Sequence, residues 1–228
     1  MTTLDARPRR GVTLTETGAE FWRHPSPWMI TALLVAAVTT RVLISDWQLS
    51  DLWAPAAFLA LFPVIEWLVH VFVLHWRPRQ VGRVTVDTQL ARKHREHHAS
   101  PRDIPLVFIP WQTLAGVIVV VPTAALLLFP RPAQALTFVA TVAAAGIVYE
   151  WVHYLVHSDY KPRSRAYRAV YRHHRLHHFK NENYWLTVTS AHSADRLFGT
   201  DPDPATVPTS PTAKDLHGLR DSGHCPQD

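Results

Sequence analysis

Eleven of the fifteen histidines in this 228-residue chain fall into four short clusters. His70 and His75 form the first, His94, His97 and His98 the second, His153 and His157 the third, and His173, His174, His177 and His178 the last. Imidazole at this density and spacing points to metal ligation. In HxxHH the residues at i, i+3 and i+4 share one helix face, so three rings can aim at one point. His153 and His157 stand at i and i+4. His70 and His75 stand at i and i+5, which align only if the helix carries a π-turn or stops before His75. The single Cys225 excludes a disulfide framework, a thiolate zinc site and a Cys-ligated iron–sulfur cluster.

The clusters are arranged as a repeat. EWLVHVFVLH at 66–75 matches EWVHYLVH at 150–157, and HREHH at 94–98 matches HRLHH at 174–178. Nineteen positions separate His75 from His94, and seventeen separate His157 from His174. Each copy offers two histidines from a helix end and three from a following helix. Ten imidazoles are enough for two metal ions with about five each.

The elements that deliver these histidines are apolar. Residues 104–130 carry no charge, nor do 132–149; 28–44 and 52–75 are nearly as apolar. A bilayer core of about 30 Å takes about 20 such residues per helix, so four transmembrane helices are expected. The first 27 residues lack an apolar signal-peptide core, so no cleaved signal is expected. Basic residues fix the orientation. Four lie before the first span, seven in 76–103 and seven in 158–180, against none and one in the other two connections. The positive-inside rule puts both termini and the middle segment in the cytoplasm, beside all four clusters. The excess of 23 Lys and Arg over 18 Asp and Glu therefore reports topology and anionic lipid, and no nucleic-acid partner is expected.

The expected fold is an all-α integral membrane protein, four transmembrane helices capped by a cytoplasmic, helical, His-rich dimetal domain. Residues 1–27 form a cytoplasmic or interfacial segment, 28–200 the membrane domain, and the proline-rich 201–228 a disordered tail. Glu66 and Glu150 precede the first histidine of each copy. A carboxylate at the membrane boundary is costly unless paired, so each is expected to accept from a ligand imidazole and fix its tautomer. His173 completes no pattern and is expected beside the ligands or facing substrate, with His192 a possible site residue. His24, His217 and His224 read as ordinary surface or core residues, and Trp67 and Trp151 as part of an interfacial aromatic belt.

The four boxes together, followed by HHFKNENYW (177–185), VTS (188–190) and DRLFGT (195–200), resemble the fatty acid hydroxylase/sterol desaturase superfamily over roughly residues 20–200. The resemblance implies a membrane dimetal oxygenase that uses O₂ to hydroxylate or desaturate a lipid. It assigns ligand roles to His70, His75, His94, His97, His98, His153, His157, His174, His177 and His178, with Asn181 and Asp195 as supporting residues. The chain departs from the family at Leu186-Thr187, where an aromatic–Gly pair is usual.

Oxygen insertion into an unactivated C–H bond needs a redox metal, and zinc has no redox chemistry. Two iron ions are expected, with zinc able to occupy the same imidazoles in purified protein. The chain has no Rossmann fingerprint, haem motif or cysteine cluster, so electrons are expected from a ferredoxin or from a cytochrome b5-like or flavin reductase. The alternatives are a carotenoid or sterol-like ring hydroxylase and a His-rich metal transporter. A transporter would place its ligands near the bilayer midplane, whereas these lie at helix ends. Four lysines among the basic residues, with abundant alanine, point to a GC-rich bacterial source and an inner membrane.

Overall fold

A computed structural model describes residues 12–219; Arg7, Arg9, Arg10, His224 and Cys225 lie outside them. Four helical stretches are long and apolar enough to cross a membrane: Pro25–Ile44, Leu49–Leu74, Ile104–Leu128 and Pro132–His157. In chain order the helices are α1 (Leu14–Phe21), α2 (Pro25–Ile44), α3 (Trp53–Val69), α4 (Gln89–Ala99), α5 (Trp111–Leu128), α6 (Pro132–His157), α7 (Arg165–Phe179) and the short α8 (Ser193–Leu197).

Proline sets several boundaries. Pro25 and Pro132 occupy the first turns of α2 and α6, where a missing N–H costs nothing. Pro110 precedes α5, so the apolar run from residue 104 starts as a 3₁₀ turn, Ile104–Val107, and becomes α-helical only at Trp111. The fourth span runs past residue 149 to His157, which puts both histidines of that box on its last turns. The first boundary, placed at 27/28 from sequence, falls inside α2, whose buried Ser26 reaches Glu150. Ahead of it, a capping box between Thr13 and Glu16 starts α1. Its Phe21 packs among Phe108, Trp151 and Tyr154.

Helices α2, α5 and α6 pack on small residues. Ala37, Ala125, Ala135 and Val139 form one buried cluster, and Ile30, Leu114 and Ala143 another; small side chains let apolar helices approach closely. At the end of the bundle away from the histidines, Arg41 is 3% exposed. It donates to Asp51 Oδ2 at 2.7 Å and to Thr137 Oγ1 at 2.9 Å, and Arg131 bonds both Asp46 and Asp51. These charges pair with one another and tie α2, the 45–52 connection and α6 together.

The chain is mostly helical, as expected, with one short hairpin added among the described residues. Arg79–Val81 and Val84–Val86 form an antiparallel hairpin, β1 and β2, turning at Gly82 with φ +63°, the conformation a tight hairpin turn requires. Residues 201–219, expected to be disordered, are packed. Val207, Ala213 and Leu216 are buried, and Ser210 N donates to Lys180 O at 2.7 Å. Prolines there limit the chain's freedom rather than its order. Residues 220–228 lie outside the described residues. Trp67 also departs from the interfacial reading: its Nε1 donates to Thr200 Oγ1 at 2.9 Å and its ring stacks on Phe198.

Candidate metal centre

Four helix ends meet at the histidine face. α3 does not stop at His70: it continues as a π-turn, His70–Leu74, with His75 N donating to His70 O at 3.0 Å. That five-residue bond turns the i, i+5 pair onto one side, as its spacing requires. Thr88 caps α4 by accepting from Ala91 N, and Ser164 caps α7 by accepting from Tyr167 N. These caps fix where each of the two HxxHH helices begins. The face α4 buries is Ala91, His94, His97 and His98; the residues α7 buries are His173, His174, His177 and His178.

The ten histidines separate into two groups of five. His70, His75, His94, His98 and His177 form one; His97, His153, His157, His174 and His178 form the other. Within each group one nitrogen per residue lies within 4.8 Å of all the others. The repeat does not map simply onto the groups: each copy gives four histidines to its own group and sends the middle residue of HxxHH, His97 or His177, across to the other.

Hydrogen bonding alone does not account for these contacts. His178 Nε2 lies 3.2 Å from His97 Nε2 and 3.0 Å from His174 Nε2, while His174 Nε2 also lies 3.0 Å from His157 Nε2. A ring nitrogen carries one proton or one lone pair, so a nitrogen facing two others bonds at most one properly. Ligands about 2.0–2.1 Å from a common ion stand about 3 Å apart, which is the spacing found. In the other group His177 Nε2 and His98 Nε2 are 3.1 Å apart. His98 Nδ1 donates to Ala213 O and His177 Nδ1 to Tyr184 O, each at 2.9 Å. A carbonyl only accepts, so both Nε2 atoms are left as lone pairs facing inward. His70 Nδ1 and Nε2, His94 Nε2 and His153 Nε2 are buried with no hydrogen-bond partner. The donor set fits two borderline divalent ions.

Burial, reinforced by neighbouring imidazoles, holds His75, His94, His97, His174 and His178 well below the usual imidazole range. His98 is held down the same way, against its bond to Ala213, and burial brings His177 down to about 4. These rings are neutral at pH 7, the form that ligates.

The supporting residues act differently from expectation. Glu66 accepts no hydrogen bond from an imidazole: its donors are Val188 N, Thr189 N, Thr189 Oγ1 and Ser190 Oγ at 2.8–3.3 Å. Glu150 accepts from Ile109 N at 2.9 Å and Ser26 Oγ at 3.0 Å. Non-helical amides beside apolar helices need acceptors, and the two carboxylates supply them. Asn181 turns the chain after α7, accepting from Asn183 N and donating to Pro208 O, and it too bonds no ligand histidine. Asp195 accepts from His173 Nε2 at 2.9 Å and from Leu186 N and Thr187 N, so it organises the departure at 186–187. His173 joins neither group of five. His192 pairs with Asp201 at 2.7 Å. His217, expected to be a bystander, donates from Nε2 to His75 O at 3.0 Å.

Sequence reasoning missed Glu182, Ala213 and the 201–219 segment. Glu182 accepts from Ser210 Oγ and Thr212 Oγ1, which carries Ala213 O to His98. The signal for it was faint: isolated Val207, Ala213 and Leu216 among prolines.

The fatty acid hydroxylase family model matches residues 55–200. The chain is also similar in fold to a solved structure titled full-length scs7p, with only the hydroxylase domain visible. That likeness has a TM-score of 0.61 at 19% identity and covers 86% of this chain and 68% of that one. No curated protein matches the sequence. With its family match spanning both HxxHH boxes, both helix-end boxes and the Asp195 loop, the chain belongs to the fatty acid hydroxylase family.

Proposed function

We propose that this lipid hydroxylase holds one iron ion in each group of five histidines and uses O₂ to hydroxylate, or desaturate, a fatty acyl chain drawn from the bilayer. The observation that carries the reading is the pairing of two all-imidazole groups, joined along α4 and α7, at the ends of apolar helices. Bound there, iron supplies the redox chemistry that zinc lacks. Hydroxylation consumes O₂, two electrons and two protons, yielding the alcohol and water. The electrons come from a separate ferredoxin or flavin- or cytochrome b5-type carrier.

The chain's own residues bind, orient and exclude water. The carbonyls of Ala213 and Tyr184 hold His98 and His177 with their lone pairs inward. A recess of about 40 Å³ touches His94 of one group and His153 of the other, walled mostly by apolar residues such as Leu74, Val107, Phe108 and Pro110, with Tyr149 and Lys93 also lining it. Apolar walls favour a hydrocarbon over water there, and contact with both groups suits a substrate carbon. The basic segments 76–103 and 158–180 support a cytoplasmic histidine face that docks an acidic carrier.

Metal analysis of anaerobically purified protein is expected to give two iron ions per chain, and substantially fewer sinks the two-ion reading. Lipid mass spectrometry under ¹⁸O₂, in a host supplying the carrier, is expected to show a labelled hydroxy-acyl product. A labelled carotenoid or polycyclic product instead would move the substrate to a ring lipid. Metal flux without product would make the chain a transporter.

A further inference from the structure

A third cluster lies outside the two groups of five. His173, on α7, His192, just before α8, and Asp201 present one ligand atom each within 4.8 Å of one another. They open on a cleft of about 320 Å³ that Arg172, Trp185 and Arg196 also line. The side chain of His173 is 0% exposed. Its Nε2 faces Asp195 Oδ2 at 2.9 Å, a carboxylate that already gathers two backbone amides, so in the neutral ring Nε2 carries the proton and Nδ1 is left as a lone pair. That Nδ1 is buried with no hydrogen-bond partner. It points instead at another acceptor, Asp201 Oδ1, 3.9 Å away.

Asp201 Oδ1 already lies 2.9 Å from His192 Nδ1, so the unpartnered atom of the pair is the buried Nδ1 of His173, which a bound cation would satisfy. A tetrahedral ion about 2.0–2.1 Å from each needs about half an ångström of closure from the 3.9 Å found. His192, 41% exposed and 2.7 Å from Asp201 Oδ2, supplies the third ligand from the rim.

We propose that His173 Nδ1, His192 and Asp201 form a third cation site, separate from the two histidine groups, for a zinc-class divalent ion. Two imidazoles and one carboxylate with an open fourth position are a borderline donor set suited to Zn²⁺ or Co²⁺ rather than Mg²⁺ or Ca²⁺. The cleft provides the open position. Such an ion ties α7 to the 192–201 segment, and through Asp195 it steadies Leu186 and Thr187. Arg196 competes for the same carboxylate, its Nε donating to Asp201 Oδ2 at 3.1 Å, but its side chain is 71% exposed and free to swing into solvent.

The test is calorimetric titration of the full chain with Zn²⁺ after the histidine groups have been filled, their metal content being followed by mass spectrometry in the same sample. Wild type is expected to take up one further equivalent. His192→Ala and Asp201→Asn are expected to weaken it by roughly tenfold or more with the initial metal content unchanged. Arg196→Ala, which frees the carboxylate, is expected to tighten it. Absence of a further equivalent up to about 1 mM, or equal uptake by wild type and His192→Ala, overturns the proposal. If both ligand variants fail to fold, an unchanged affinity in Arg196→Ala overturns it. The readout is uptake that depends on His192, so it stands or falls separately from the two-iron reading.

Discussion

The helical bundle and the layer formed by α4 and α7 are held together by opposite means. Where α2, α5 and α6 pack on one another, the buried residues are mostly small and apolar, such as Ala37, Ala125, Ala135 and Ala143. The outward faces carry side chains as exposed as Leu127 and Leu128, at 80% each, which lipid covers. α4 buries one alanine and three histidines, and α7 buries four histidines; neither helix contributes a buried leucine, valine or phenylalanine. An imidazole nitrogen buried without a partner costs about 1–3 kcal/mol, and several of the ten proposed ligands have one. The bundle therefore owes its stability to packing, and the layer owes its own to whatever fills those lone pairs.

The largest expected effect breaks the comparison directly. Chelation of the metal-loaded protein is expected to strip hydrogen-exchange protection from α4 and α7 while α2, α5 and α6 keep theirs, because structural metal binding is also folding free energy, on the order of 10 kcal/mol per site. Protection surviving in α4 and α7 would show that the layer has another source of stability. Next come the two histidines that cross between groups. His97→Ala and His177→Ala are each expected to lower the ion count from two toward one and activity by more than about a hundredfold, measured as metal per chain and product formed. Loss of both ions from either variant would mean that the groups fill cooperatively rather than one by one.

The seam between bundle and layer tests the carboxylates. Glu66 receives four hydrogen bonds from 188–190, and Glu150 two from Ile109 and Ser26. Glutamine places an NH₂ where an acceptor is needed. Glu66→Gln is expected to cost about 2–3 kcal/mol and Glu150→Gln about 1–2, read from thermal unfolding of the metal-loaded protein. Equal losses would mean that the 188–190 segment is held by something other than Glu66.

How much of this was legible in the sequence follows from the range of the interactions. The histidine clusters were readable because their logic is local: i, i+3, i+4 spacing on a helix, and a five-residue gap that needs either a π-turn or a helix end. The four spans were readable because hydrophobic length is a property of the sequence itself. The partners of Glu66 and Glu150 were not, since Val188 and Ile109 lie 122 and 41 residues away, and helix spacing suggested the nearby imidazoles instead. The 201–219 segment misled for a related reason. Its order rests on Lys180, Glu182, His98 and His75 rather than on apolar periodicity, and proline-rich composition resembles disorder when the partners are distant. The crossing of His97 and His177 is likewise tertiary: spacing brings three rings to one helix face without saying which of two ions each will meet.

His217 tests how far that distant segment belongs to the layer. It sits in a short 3₁₀ turn, Leu216–Gly218, at φ +71°, a conformation uncommon for a residue with a side chain. What holds it there is the bond from its Nε2 to His75 O, the carbonyl of the residue that ends the π-turn. Burial lowers its pKa, so the ring is neutral at pH 7 and donates a single ordinary hydrogen bond. His217→Ala is therefore expected to cost only about 1 kcal/mol, a fall of about 2–4 °C in Tm for a chain of this size. The ion count should not change, because His98 keeps its own bond to Ala213 O. A loss of metal from the His75 group in this variant would instead make the 201–219 segment part of the metal centre's support, and the boundary between bundle and layer would have to be drawn to include it.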